Sequence, residues 1–120
     1  MALLVKILIG IVAFEHLFIM YFEMFAWDTL GKKIFKTLPR DLFSSTKVMA
    51  GNQGLYNGFL AAGLIWSLLV SDELWAHNLA SFFLSCVIVA GVYGAATTDK
   101  KIFFTQTLPA LLALALVPFL

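Results

Sequence analysis

The sequence predicts an all-α polytopic membrane protein, an antiparallel bundle of four transmembrane helices with an interfacial segment between helices 1 and 2. Three observations lead there. Of its 120 residues 62% are hydrophobic and only 12% charged, with a mean hydropathy of +0.95, whereas a soluble domain carries about 25% charged residues. Four apolar stretches each approach the ~20 residues that cross a hydrocarbon core. The basic residues between them fall into two connections and leave the third without any. A soluble fold of this length could not hide so much apolar surface, and backbone groups in lipid must pair within their own segment, which makes the stretches helices.

The first predicted helix covers residues 3–26. Lys6 precedes its apolar run as in a signal peptide, but no small-residue cleavage site follows and Glu15-His16 interrupts the run, so it is read as a mature helix. The connection 28–46 is too long for a turn and mixes Lys32, Lys33, Lys36 and Arg40 with Ile34, Phe35, Leu38, Leu42 and Phe43. At helical spacing Ile34, Leu38 and Leu42 share a face, which predicts a segment lying on the membrane surface and redirected at Pro39. Helix 2 covers 48–70, helix 3 covers 79–98 and helix 4 covers 102–120, all within one domain spanning 1–120. The middle connection holds Asp72, Glu73 and His77, and Lys100 and Lys101 lie in the last. By the positive-inside rule, loops 28–46 and 99–101 are cytoplasmic and both termini lie outside the plasma membrane. Trp27, Trp66 and Trp75 fall at or near helix ends, where amphipathic rings anchor at the interface.

Ionisable groups inside a membrane helix cost roughly 2.5–3.5 kcal/mol each on insertion scales and therefore usually face a protein interior or a watery cavity. Glu15, His16 and Glu23 are three such groups on helix 1. At 100° per residue they fit one broad sector. Helix 2 brings Asn52, Gln53, Tyr56 and Asn57 among Gly51, Gly54 and Gly58, and Gly54, Gly58 and Ala62 make a small-residue stripe for close helix approach. Counting inward from the facing helix ends puts Glu23 level with Gly51–Asn52 and His16 level with Asn57–Gly58, and adds Tyr93, Thr97, Thr98 and Gln106 to the same half. The expectation is a pocket open to the cytoplasm. Glu15, His16 and Glu23 are its candidate catalytic groups, and Asn52, Gln53, Tyr56, Asn57 and Tyr93 its candidate ligand-binding groups. Packing accounts compete at each position: Glu23 can reach water or a loop lysine, the amides can join helices, and Tyr93 can be an ordinary core aromatic.

Other chemistries are disfavoured. His16 and Glu23 lie seven residues apart, about 10.5 Å along a helix axis, too far to clamp one metal ion between them alone. No metal or haem motif is present, and Cys86 stands alone. With a net charge of +1 and no nucleotide or nucleic-acid motif, the composition points away from nucleic-acid partners and needs no cofactor.

The residues Glu15-His16, Glu23-Met24 and Trp27, followed by Asn52-Gln53-Gly54-Leu55-Tyr56-Asn57-Gly58-Phe59-Leu60-Ala61-Ala62-Gly63, resemble the signature of the DUF1304 family. The resemblance runs over essentially the whole chain and implies a small membrane protein of four spans, without catalytic residues to carry over. Three functions remain on the residues alone. A carboxyl and an imidazole in a low-dielectric pocket can bind or convert a small lipophilic molecule by cofactor-free acid and base chemistry. A small carrier could instead couple Glu15 to a proton or cation. An accessory subunit would use the glycine stripe and basic loop to hold partners, and a homodimer suits any of the three. The sequence does not decide between enzyme and non-enzyme.

Overall fold

The chain, described over residues 1–120 by a computed structural model, is all-helical apart from its short connections and contains no strand. Helix α1 spans Ala2–Phe25, two short turns follow as α2 (Lys32–Ile34) and α3 (Leu42–Ser45), and the long α4 (Lys47–Leu69) and α5 (Glu73–Thr97) lead to α6 (Leu108–Leu116). A π-helical turn over Phe103–Thr107 and a 3-10 turn over Val117–Phe119 extend α6 at either end into a fourth rod. The four rods pack in a ring, α1 against α4, α4 against α5, α5 against the α6 rod and that rod back against α1. Neighbours run antiparallel, and the long dimension is 48 Å.

Each boundary has a local cause. Asp72 Oδ1 accepts from the Trp75 amide at 2.9 Å, an N-cap that starts α5 at Glu73 rather than at the expected Leu79. Asp99 does the same service for the last rod, its carboxylate accepting from the Lys101 amide at 2.9 Å. The wide turn before α6 is explained by Pro109, which lacks the N–H for an i−4 bond and whose ring would clash with the carbonyl four residues back. Helix α1 breaks at Ala26 but does not stop there. The Ala26 carbonyl accepts from Gly31 N at 2.9 Å, and the chain continues through a π-helical turn over Trp27–Gly31.

Two apolar clusters form the interior. The larger draws on every rod, with Val5, Ile9, Val12, Leu64, Ala80, Leu84, Val87 and Ala113 among its members. The smaller lies at the basic end, where Trp27 and Phe43 pack with Ile19, Phe22 and Ala50. Here two expectations are corrected. Trp27 is no interfacial anchor: it is 7% exposed, stacks near Phe35 and Phe43, and donates from Nε1 to Thr46 Oγ1 at 3.0 Å. Nor do Ile34, Leu38 and Leu42 form one helical face, because the segment bends between α2 and α3. Phe43 and Leu38 turn onto the core, leaving Ile34 and Leu42 exposed. The Arg40 guanidinium donates to the Lys32 carbonyl and ties this fold-back together.

Helices α1 and α5 are each long and apolar enough to cross a membrane. Helix α4 has the length, but its amides and glycines dilute its apolar character, and the fourth rod, Phe103–Phe119, is shorter.

Candidate functional site

Close approach of α1 and α4 decides where the polar groups go. Built on Gly54, a Cβ would lie 2.8 Å from Met24 Cγ, 2.9 Å from Glu23 Cβ and 3.1 Å from the Met20 carbonyl; on Gly58 it would lie 2.6 Å from Met20 Sδ. Only glycine lets the two backbones meet at this spacing. The seam sets Glu23 beside Asn57, whose Nδ2 donates to Glu23 Oε1 at 2.7 Å and to the Gln53 carbonyl at 3.2 Å. Glu23 is 1% exposed and has no cationic partner in the chain.

This register is displaced by about one turn from the one counted along the sequence. The count ended α1 at Ala26, whereas the chain continues helically to Gly31. Pairing Gly31 with Lys47 reproduces the observed neighbours.

His16 is also 1% exposed, one face above Glu23 on α1. Its Nδ1 donates to the Val12 carbonyl at 2.8 Å, which fixes the ring against its own helix and leaves Nε2 without a hydrogen bond in the chain. Glu15, just past the midpoint of α1, is different. It is half-buried, on the edge between buried Val12 and Ile19 and exposed Ile11 and Phe18, and its carboxyl has no hydrogen-bond or ion-pair partner in the chain.

The remaining candidates do not join this group. Asn52, Gln53 and Tyr56 are exposed on the outside of α4, where with Val48 and Met49 they line a shallow groove. Tyr93 is 72% exposed on α5, at the end of another shallow groove that includes Phe82, Cys86 and Ala90. No common pocket open at the basic end therefore contains the eight residues. A helical-wheel argument could have separated them: Asn57 lies about 60° from Gly54 around the helix, but Asn52 lies about 160° from it. Once Gly54 is assigned to the α1 seam, only Asn57 can follow it inward. Likewise Tyr93 lies about 160° from Gly91, and Gly91 is buried against the Thr107 side chain.

Thr107 is the polar residue that sequence reasoning missed. Its fully buried hydroxyl lies against Gly91 without a hydrogen-bond partner, and the glycine at position 91 was its only trace in the sequence. No group of three or more His, Cys, Asp or Glu side chains is arranged to hold a metal ion.

Comparison with known proteins places these residues in context. The model of a family described as a protein of unknown function (DUF1304) matches residues 10–118. The chain is 35% identical over 116 residues to the uncharacterized protein YpaA of Lactococcus lactis subsp. lactis (strain IL1403), covering 95% of this chain and 96% of that one. No solved structure matches.

Proposed function

The chain belongs to the DUF1304 family, and we propose that it is a four-span membrane protein that binds a small lipophilic molecule through the Glu15 carboxyl. Support for the membrane setting comes from its outer surface. Phe14, Phe59, Val89 and Leu112, one from each rod, are 72%, 54%, 70% and 53% exposed. Apolar surface spread around a bundle in this way is foreign to a soluble monomer and suits lipid. The 48 Å length matches a bilayer of about 40–45 Å with its headgroups. Lys32, Lys33, Lys36, Arg40, Lys47, Lys100 and Lys101 all belong to one end, which is the cytoplasmic end by the positive-inside rule, with both termini outside.

The observation that carries the binding reading is Glu15. A carboxyl at mid-span with no partner in its own chain must find one elsewhere. Its position at the bundle edge favours a ligand arriving from the bilayer, apolar over most of its surface and carrying a hydrogen-bond donor or a cationic group. Binding is better supported than conversion, because His16 and Glu23 are closed off at 1% exposure and His16 has already committed one ring nitrogen. The Glu23–Asn57 bond favours a different role for that pair, as a polar lock between α1 and α4.

The test is chemical analysis of what the protein retains. Wild type, Glu15→Gln and Glu23→Gln are purified from membranes in mild detergent and their bound lipophilic molecules compared by mass spectrometry. A species held by wild type and by Glu23→Gln, but lost at least tenfold from Glu15→Gln, is the expected result. Equal retention by all three would remove Glu15 from the site. Reconstitution with the identified species then separates a carrier, which moves it unchanged, from an enzyme, which converts it.

A further inference from the structure

Asn52 and Gln53 point away from the bundle, and their side-chain amides bond to no group in the chain; the amide hydrogen bonds of α4 belong to Asn57. Tyr56 is 60% exposed on the same face. Gly54 and Gly58, which α1 covers, lie on the other side of the helix. Helix α4 thus carries side-chain amides on two sides, and only that of Asn57 is used within the chain.

We propose that this outward face is the contact with a second copy of the chain, joined about a two-fold axis by Asn52 and Gln53. The inference rests on the membrane reading given above, since water would satisfy these amides in a soluble protein. The choice of a second copy follows from the chemistry of the patch. A carboxamide offers donors and an acceptor together, so a surface built on Asn and Gln complements itself when rotated onto its own copy. The patch holds no ionisable carboxyl or amine that would set like charges opposite each other. The nearest charge, Lys47, lies at the helix start with its ammonium 3.9 Å from the Asp28 carboxylate. A basic or acidic partner would find nothing to pair with on this face. In lipid, interhelical amide hydrogen bonds hold helices together.

The test uses the full chain. Wild type and an Asn52→Ala/Gln53→Ala variant are compared for mass in detergent by light scattering. In a Cys86→Ser background, single cysteines at Asn52 and at Leu112, on the rod diagonally across the bundle, are oxidised in native membranes. Disulfide formation needs Cα atoms within about 7 Å. The proposal expects two chains per wild-type particle, one per particle of the double variant with its helix content retained, and cross-linking through position 52 but not 112. A wild type of single mass, or a dimer that survives the double substitution or cross-links only through position 112, overturns it. Alkaline carbonate extraction distinguishes the two levels of failure. Protein that stays in the membrane but is monomeric defeats this inference alone, and protein washed free defeats the membrane reading along with it.

Discussion

At the scale of residues, Glu23 and Asn57 show how a buried polar pair is specified by what surrounds it. Gly54 brings α4 against the Cβ of Glu23, and the amide three residues later meets the carboxyl at 2.7 Å. Asn57→Leu leaves that carboxyl buried without its donor, and the cost of a buried polar group left unpaired is about 1–3 kcal/mol. Thermal unfolding in detergent measures it. Adding Glu23→Leu to Asn57→Leu recovers part of the loss, because the stranded carboxyl is then gone; equal, additive losses from the two single changes would mean the pair is not coupled. That Glu23 needed a partner was legible in the sequence. Which amide supplied it was not, because the answer depended on the helical continuation past Ala26, and an apolar run with tryptophan at its end gives no sign of a π-helical turn.

At the scale of elements, the glycines divide into those that hold a seam and those that do not. A Cβ on Gly63 would overlap the Phe83 ring, whereas Gly10 has open space around it. Gly63→Ala must push that ring out of the α4–α5 seam and should lower stability by about 1–3 kcal/mol, as overpacking does. Gly10→Ala should leave stability unchanged or raise it by up to about 1 kcal/mol through helix propensity. Parallel melting curves check both, and equal effects would mean that Gly63 is not at a packed seam. The helices themselves were legible from length and hydropathy, and the Asp72 cap could have been read from an acidic residue before an apolar run. The connection 28–46 was less legible. Its apolar residues fit a helical face on paper, yet Phe43 and Trp27 gain more by packing on each other and on Phe22 than by lying on a surface.

At the scale of the whole molecule, the chain is a ring of four antiparallel rods with many large apolar side chains outward, all its basic residues but Lys6 at one end and a carboxyl without a partner halfway along α1. The all-helical architecture and the two ends of different charge were legible in composition and spacing. A common pocket for all eight candidate residues was not formed, since helix periodicity turns Asn52 and Tyr56 outward when Asn57 turns inward. What the fold leaves open is Glu15 and its place at the edge of the bundle. Carbodiimides, which modify carboxyls covalently, test it directly. Native membranes are treated with a lipid-soluble or a water-soluble reagent and the modified residue is mapped by mass spectrometry. The lipid-soluble reagent should modify Glu15 and spare Glu23, while the water-soluble one reacts at the end loops and leaves Glu15 untouched. Modification of Glu23 in place of Glu15, or of Glu15 by the water-soluble reagent as readily as by the other, would contradict this placement.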